Sequence, residues 1–237
     1  MPRFRIADEK PAKLDCVLTA ARLITNAILT APLAGGVPQV EVELVYGDEE
    51  LEAIANKTLE LAKKNPAWER IFKYESVMVR ESDAILFIGN YRAHTTPFDL
   101  ECGLCSGEKG CKYFYEERKK RNPSATETPI KGPVCAFRAS DTGYAIGSAL
   151  WLASRLFIDA KASFAVGLAG KELGYLPTCE IIVAVMLAAR SKNPFVDIPP
   201  DYDKLWMGYA VDATKKTYIT ARQLFQHDYR VKTIKGE

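Results

Sequence analysis

The sequence is short of the residues on which most enzymes rely. It has two histidines, His94 and His227, and no Walker loop, G-x-G-x-x-G, G-x-S-x-G or H-E-x-x-H. The phosphate cradle, the nucleophile elbow and the zinc-protease helix are therefore missing. An excess of charge of one sign is lacking too: 32 Lys and Arg face 30 Asp and Glu, a formal charge of +2. That balance argues against nucleic acid or an anionic membrane as partner. The one basic run, "RKKRNP" at 118–123, follows Glu116 and Glu117 and reads as a solvated loop. Long hydrophobic runs are absent as well. The most apolar stretch, Tyr144 to Ala169, is interrupted by Arg155, Asp159 and Lys161, and the first fifteen residues have no apolar segment of the kind a secretory signal needs. The expectation is a soluble, cytoplasmic protein.

What is present is enough for a core, since 48% of the 237 residues are hydrophobic. Over 13–30, Val17, Ala20, Ala21, Ile24, Ala27 and Ile28 recur at helical spacing, with Pro32 and Gly35-Gly36 beyond the end. "PQVEVELVY" at 38–46 alternates as a strand with one buried face. "DEELEAIANKTLELAKK" opens acidic and ends basic, as a helix does, and "SDAILFIGN" at 82–90 reads as a buried strand. Between Tyr91 and Ser140 little periodicity is sustained, although "KYFYEERKKR" suits a short helix; 91–139 is expected to be an insertion ordered by something other than a core. From Asp141, a possible N-cap, a helix resumes, with Gly143 and Gly147 spaced for close packing of another backbone. "ASFAVGLAGKELG" reads as a further helix, "EIIVAVMLAA" at 180–189 as a central strand, and "DATKKTYITARQLFQHD" as a surface helix. Helices and strands mixed around one sheet predict a single α+β domain over 1–237.

Six cysteines are few, but they are not spread evenly. "LECGLCSGEKGCKYF" holds Cys102, Cys105 and Cys111, and Cys135 follows, giving C-x2-C-x5-C-x23-C. Cys16 and Cys179 fall in apolar patterns and read as core. A C-x2-C loop turns two sulfurs towards one point, and Gly103 permits the tight backbone. Iron–sulfur clusters take four thiolates, commonly three from a compact run and one from a distance, which this spacing fits. Structural zinc is the rival; it usually takes its second pair of ligands from another short-spaced pair, which Cys111 and Cys135 are not. His94 lies before the loop and His227 near the C-terminus, and each reads as an ordinary polar side chain.

The segments "LECGLCSGEKGC", "GPVCAFRASDTGYAIGSALWLAS", "GLAGKELGYL" and "SKNPFVDI" resemble the ferredoxin-domain proteins of anaerobic bacteria and archaea, from about Leu14 to Ile198 and most strongly over Cys102 to Ser154. The resemblance implies a [4Fe-4S] cluster on Cys102, Cys105, Cys111 and Cys135. Ser106 stands where that family usually has Gly, and the segment from Lys112 to Val134 is longer than usual. The order of elements is also similar to that of flavin-dependent nitroreductases, which implies a nitroreductase-like mixed sheet, a homodimer and an FMN site at the subunit interface. Their early Arg-Arg-Ser motif has no counterpart before Leu14, and their Ser and Asn after Ala-Pro are absent from Leu33 to Gly36. Lys192 is the sole basic candidate for a flavin phosphate. FMN is therefore not expected to be held tightly. The function expected is electron transfer to an unidentified partner protein or small acceptor, or a small redox enzyme; the alternative is a non-redox protein stapled by zinc.

Overall fold

Alternation over 40–46 and the apolar runs on either side of the cysteine loop become strands in the computed structural model, which describes residues 10–64, 68–92, 101–105, 110–120, 132–191 and 193–196. All lie in the first of two units into which the chain divides, Met1–Asp197. The second, Ile198–Glu237, with His227 and the helix expected there, is outside the described residues, as are His94 and Lys192.

Among the described residues four strands, β1 (Val40–Tyr46), β2 (Ala84–Arg92), β3 (Asp159–Ser163) and β4 (Cys179–Ala188), form one sheet in the order β1-β2-β4-β3. A mixed sheet was expected; among the described residues the three pairings are antiparallel. β2 and β4 are central and clothed by helices on both faces, which is why they read as unbroken apolar runs. The class is α+β, as the sequence implied.

Helices α1 (Lys10–Leu29) and α5 (Ala136–Arg155) cover one face. Val17, Ala21, Ile24 and Ile28 of α1 and Ala145, Ala149 and Ala153 of α5 are fully buried against Leu86, Ile88, Val185 and Leu187. The small alanines let α5 approach both α1 and the strands. On the other face lie α2 (Asp48–Ala62), α3 (Glu69–Glu81) and α6 (Phe164–Glu172), whose Leu61, Phe72, Ala165 and Leu168 cluster together. A Cβ at Gly167 would sit 2.2 Å from the Ile182 carbonyl oxygen, and one at Gly170 would sit 2.3 Å from the Phe87 ring. Those glycines, not Gly143 and Gly147, are the sites of close approach; a Cβ at either of the latter meets nothing within 4 Å. Residues 112–120 form α4 (Lys112–Lys120), the short helix expected there.

α3 buries a carboxylate on this second face. The Ser163 hydroxyl donates to Glu75 Oε2 at 2.6 Å and accepts the Val166 N–H at 3.0 Å, capping α6. Burial pushes the Glu75 carboxyl up, and the Ser163 hydroxyl and the Lys161 ammonium offset only part of that. A carboxyl raised in the folded state subtracts stability as pH climbs through its unfolded value and then its folded one. Glu75→Gln keeps an acceptor for Ser163 and removes the charge. It is expected to be more stable than wild type at pH 7, with the gap closing below about pH 4, where both states of the wild type are protonated. Urea midpoints at the two pH values check this, and a gap that does not change with pH would refute it.

Candidate metal centre

α5 starts earlier than its apolar pattern suggests. Its first residue is Ala136, and Cys135 occupies the N-cap. Asp141, expected there, lies inside the helix and almost fully buried. Its Oδ2 pairs with Arg138 Nη1 at 3.1 Å, and its Oδ1 accepts the backbone N–H of Ala34 at 2.8 Å. Asp141 thus ties α5 to the 3-10 turn Ala34–Gly36 that follows α1, instead of capping its own helix. Asn90, fully buried near the end of β2, donates from Nδ2 to the Arg138 carbonyl at 3.0 Å, and the Thr142 hydroxyl donates to the same oxygen at 2.9 Å. Asn90 Oδ1 is buried without a partner among the described residues. The first turn of α5 is therefore anchored from the sheet, from the α1 side and from within.

That anchored turn presents the sulfurs. The Ala136 N–H donates to Cys105 Sγ at 3.2 Å, which brings Cys105 to Cys135 across the intervening segment. Burial pushes the Cys135 thiol up, while the backbone N–H groups of Arg138 and Phe137 pull it down and the neighbouring Cys105 pushes it further up. Cys102 and Cys105 are exposed, and Cys111 and Cys135 are half-buried. Among the described residues no three Cys, His, Asp or Glu side chains converge on a metal-sized point. The structure thus brings together two of the four cysteines singled out, Cys105 and Cys135, and holds Cys102 in the same loop. Cys111 is linked to the loop's start, its N–H donating to Glu101 Oε2 at 2.8 Å.

The other two cysteines differ from each other. Cys179 is buried, as expected, and burial pushes its thiol up to about 12. Cys16 is exposed, which corrects the core assignment: it sits one position before Val17 and so faces outward from the stripe of Val17, Ala21, Ile24 and Ile28. Asn90, Arg138 and Glu101 were not singled out in the sequence. Polar residues with no motif spacing gave no signal, apart from the three-residue offset between Arg138 and Asp141.

At the C-terminal end of α1, an open groove of about 580 Å³ runs beside α5, lined by Ala27, Thr30, Pro32, Gly143, Tyr144 and Trp151. No helix among the described residues is long and apolar enough to cross a membrane.

Residues 131–197 match the family described as "uncharacterized protein containing a ferredoxin domain"; this range holds Cys135, α5, β3, α6 and β4 but not the other three loop cysteines. A protein of Archaeoglobus fulgidus, described as uncharacterized, is 33% identical over 195 residues, which is 82% of this chain and 98% of that protein. Among solved structures, a nitroreductase with bound FMN from Desulfitobacterium hafniense is similar at a TM-score of 0.47 and 15% identity, covering 84% of this chain and 97% of that one. Nitroreductase A of Vibrio parahaemolyticus is similar at a TM-score of 0.45 and 13% identity, covering 98% and 93%. With the archaeal protein matched over almost its whole length and the ferredoxin-domain match over 131–197, the chain belongs to the family of uncharacterized proteins containing a ferredoxin domain.

Proposed function

We propose that this chain is an iron–sulfur protein in which Cys102, Cys105, Cys111 and Cys135 hold a [4Fe-4S] cluster, and that it passes single electrons to a partner protein or small acceptor. The observation that carries this reading is the meeting of Cys105 with the N-cap Cys135 on a helix N-terminus. First-turn N–H groups and the positive end of the helix dipole favour thiolates there, against the burial that pushes the metal-free Cys135 thiol up. The donor set suits the group: four thiols, amide N–H donors beside two of them, and enough exposure at Cys102 and Cys105 for an electron partner to approach. When bound, the cluster supplies reversible one-electron transfer. The protein's part is to hold Cys135 on a rigid helix, to donate from Ala136 to the Cys105 sulfur, and to half-bury two ligands against water. A reducing cytoplasm suits thiols of this kind.

The reading includes a homodimer. Leu23, Tyr144 and Trp151 are 51%, 57% and 61% exposed, and the groove beside the latter two is lined by small residues that admit a side chain of a second copy. Flavin is possible but not favoured in this reading, since the residues at Leu33 to Gly36 differ from the Ser and Asn that follow Ala-Pro in nitroreductases.

Anaerobically purified protein is expected to be brown, with about four irons per chain, and to show a dimeric mass by light scattering. Stoichiometric zinc without a visible chromophore would replace the cluster reading with a structural staple. One FMN per chain released on denaturation would add a flavin enzyme to it, and a monomeric mass would remove the dimer.

A further inference from the structure

Glu101 immediately precedes Cys102, and its backbone is left-handed, with φ at 46°. A residue with a Cβ enters that region at a cost and stays only where its surroundings hold it. Its side chain supplies the hold, since Oε2 accepts the Cys111 N–H at 2.8 Å. Gly110, also left-handed at φ 64°, completes the contact: a Cβ there would lie 2.1 Å from the same Oε2. The backbone of 101, the carboxylate and the glycine at 110 all serve one link between the residue before the first loop cysteine and the third.

We propose that Glu101 is a positioning residue that closes the cysteine loop by gripping the backbone of Cys111, so that the loop thiols are offered to the metal together. This rests on the reading that the four cysteines bind a metal centre. The physical reason is preorganisation. Thiolates repel one another before a metal arrives, and an open loop must lose the entropy of closure at the moment of binding. A latch made by a side chain outside the ligand set lowers that cost without occupying a coordination position. The latch needs an acceptor at this place and not a charge, so an amide carbonyl is able to substitute.

The test uses the full chain purified without oxygen, as wild type, Glu101→Ala, Glu101→Gln and Gly110→Ala. It measures metal per chain, the rate of iron loss to an excess of a ferrous-iron chelator, and far-ultraviolet circular dichroism. Glu101→Ala and Gly110→Ala are expected to lose iron on the order of tenfold or more faster than wild type with the fold intact, and Glu101→Gln to stay near wild type. Iron loss from Glu101→Ala at the wild-type rate overturns the proposal. So does Glu101→Gln losing iron as fast as the alanine variant, which would assign the effect to charge. A wild-type chain that binds no metal overturns the underlying reading and the latch with it, and the metal content shows this before any variant is compared.

Discussion

Cys135→Ala is expected to emerge from anaerobic purification colourless, with iron falling from about four per chain to near zero, because a cluster site that loses one of four thiolates no longer holds its cluster. The fold should survive. Cys135 is half-buried at the α5 N-cap and makes no side-chain capping bond, so alanine removes little that the helix uses. The expected loss of stability is at most about 1 kcal/mol, the scale of an ordinary cap. Two other cysteines serve as controls. Cys16→Ala should keep its iron with stability within about 0.5 kcal/mol, since an exposed side chain away from special contacts contributes little. Cys179→Ala should also keep its iron, because that thiol is buried against Gly89 in the sheet and is not presented at the surface. Full iron in Cys135→Ala, or its loss from Cys16→Ala, would show that the ligand set is wrong.

Cys135 is also the thiol whose place is fixed most firmly. The other three lie in a loop that contributes no side chains to the described hydrophobic clusters, whereas Cys135 is joined to a 20-residue helix packed on the central strands. A metal held by the four thiols would then sit against a pre-formed wall. The wall is polar at its base, where Asn90, Arg138, Asp141 and Thr142 are all buried. Such a network specifies one arrangement of the first turn more sharply than apolar packing would, at the cost of requiring its members to be satisfied together.

The elements that were legible in the sequence are those whose more buried residues are mostly apolar, even where one polar group such as Thr58 or Asn90 is buried among them. α1, β1, α2, β2, α6 and β4 show it in their spacing, and the cysteine loop shows itself by residue type alone. α3 was not anticipated, although Phe72, Met78 and Val79 recur at helical spacing; Glu75 and Ser76 lie among them on its buried side. β3 is five residues of an edge strand, "DAKAS", mostly half-buried, and it runs into α6 with only Ser163 as a boundary. The start of α5 was misplaced for a related reason: its first turns bury Arg138, Asp141 and Thr142 instead of hydrophobic residues, so the pattern begins late. Periodicity reports apolar burial and is silent where a polar group is buried and paired. For that reason the groups that steady Cys135 could not be found from the sequence, although Cys135 itself could.

Asp141→Ala should show how far that polar base carries the fold. The substitution removes the carboxylate that faces the buried Arg138 guanidinium and the acceptor for the Ala34 N–H. Removing one member of a buried ion pair typically costs about 3–5 kcal/mol, because the remaining charge keeps its desolvation penalty and loses its counter-charge. A loss of that size is a large part of the whole stability of an ordinary domain, on the order of 5–15 kcal/mol. Urea unfolding should show it as a lower midpoint at an unchanged slope. Asp141→Asn keeps an oxygen for Ala34 and loses only the charge, so it should fall between the two. Arg138→Met combined with Asp141→Leu should recover part of the loss, since no buried charge is left without its counter-charge, although the Ala34 N–H still lacks its acceptor. If Asp141→Ala costs less than about 1 kcal/mol, as a solvated surface pair would, then the pair does not anchor the first turn, and the placement of Cys135 must rest on α5's packing against the sheet instead.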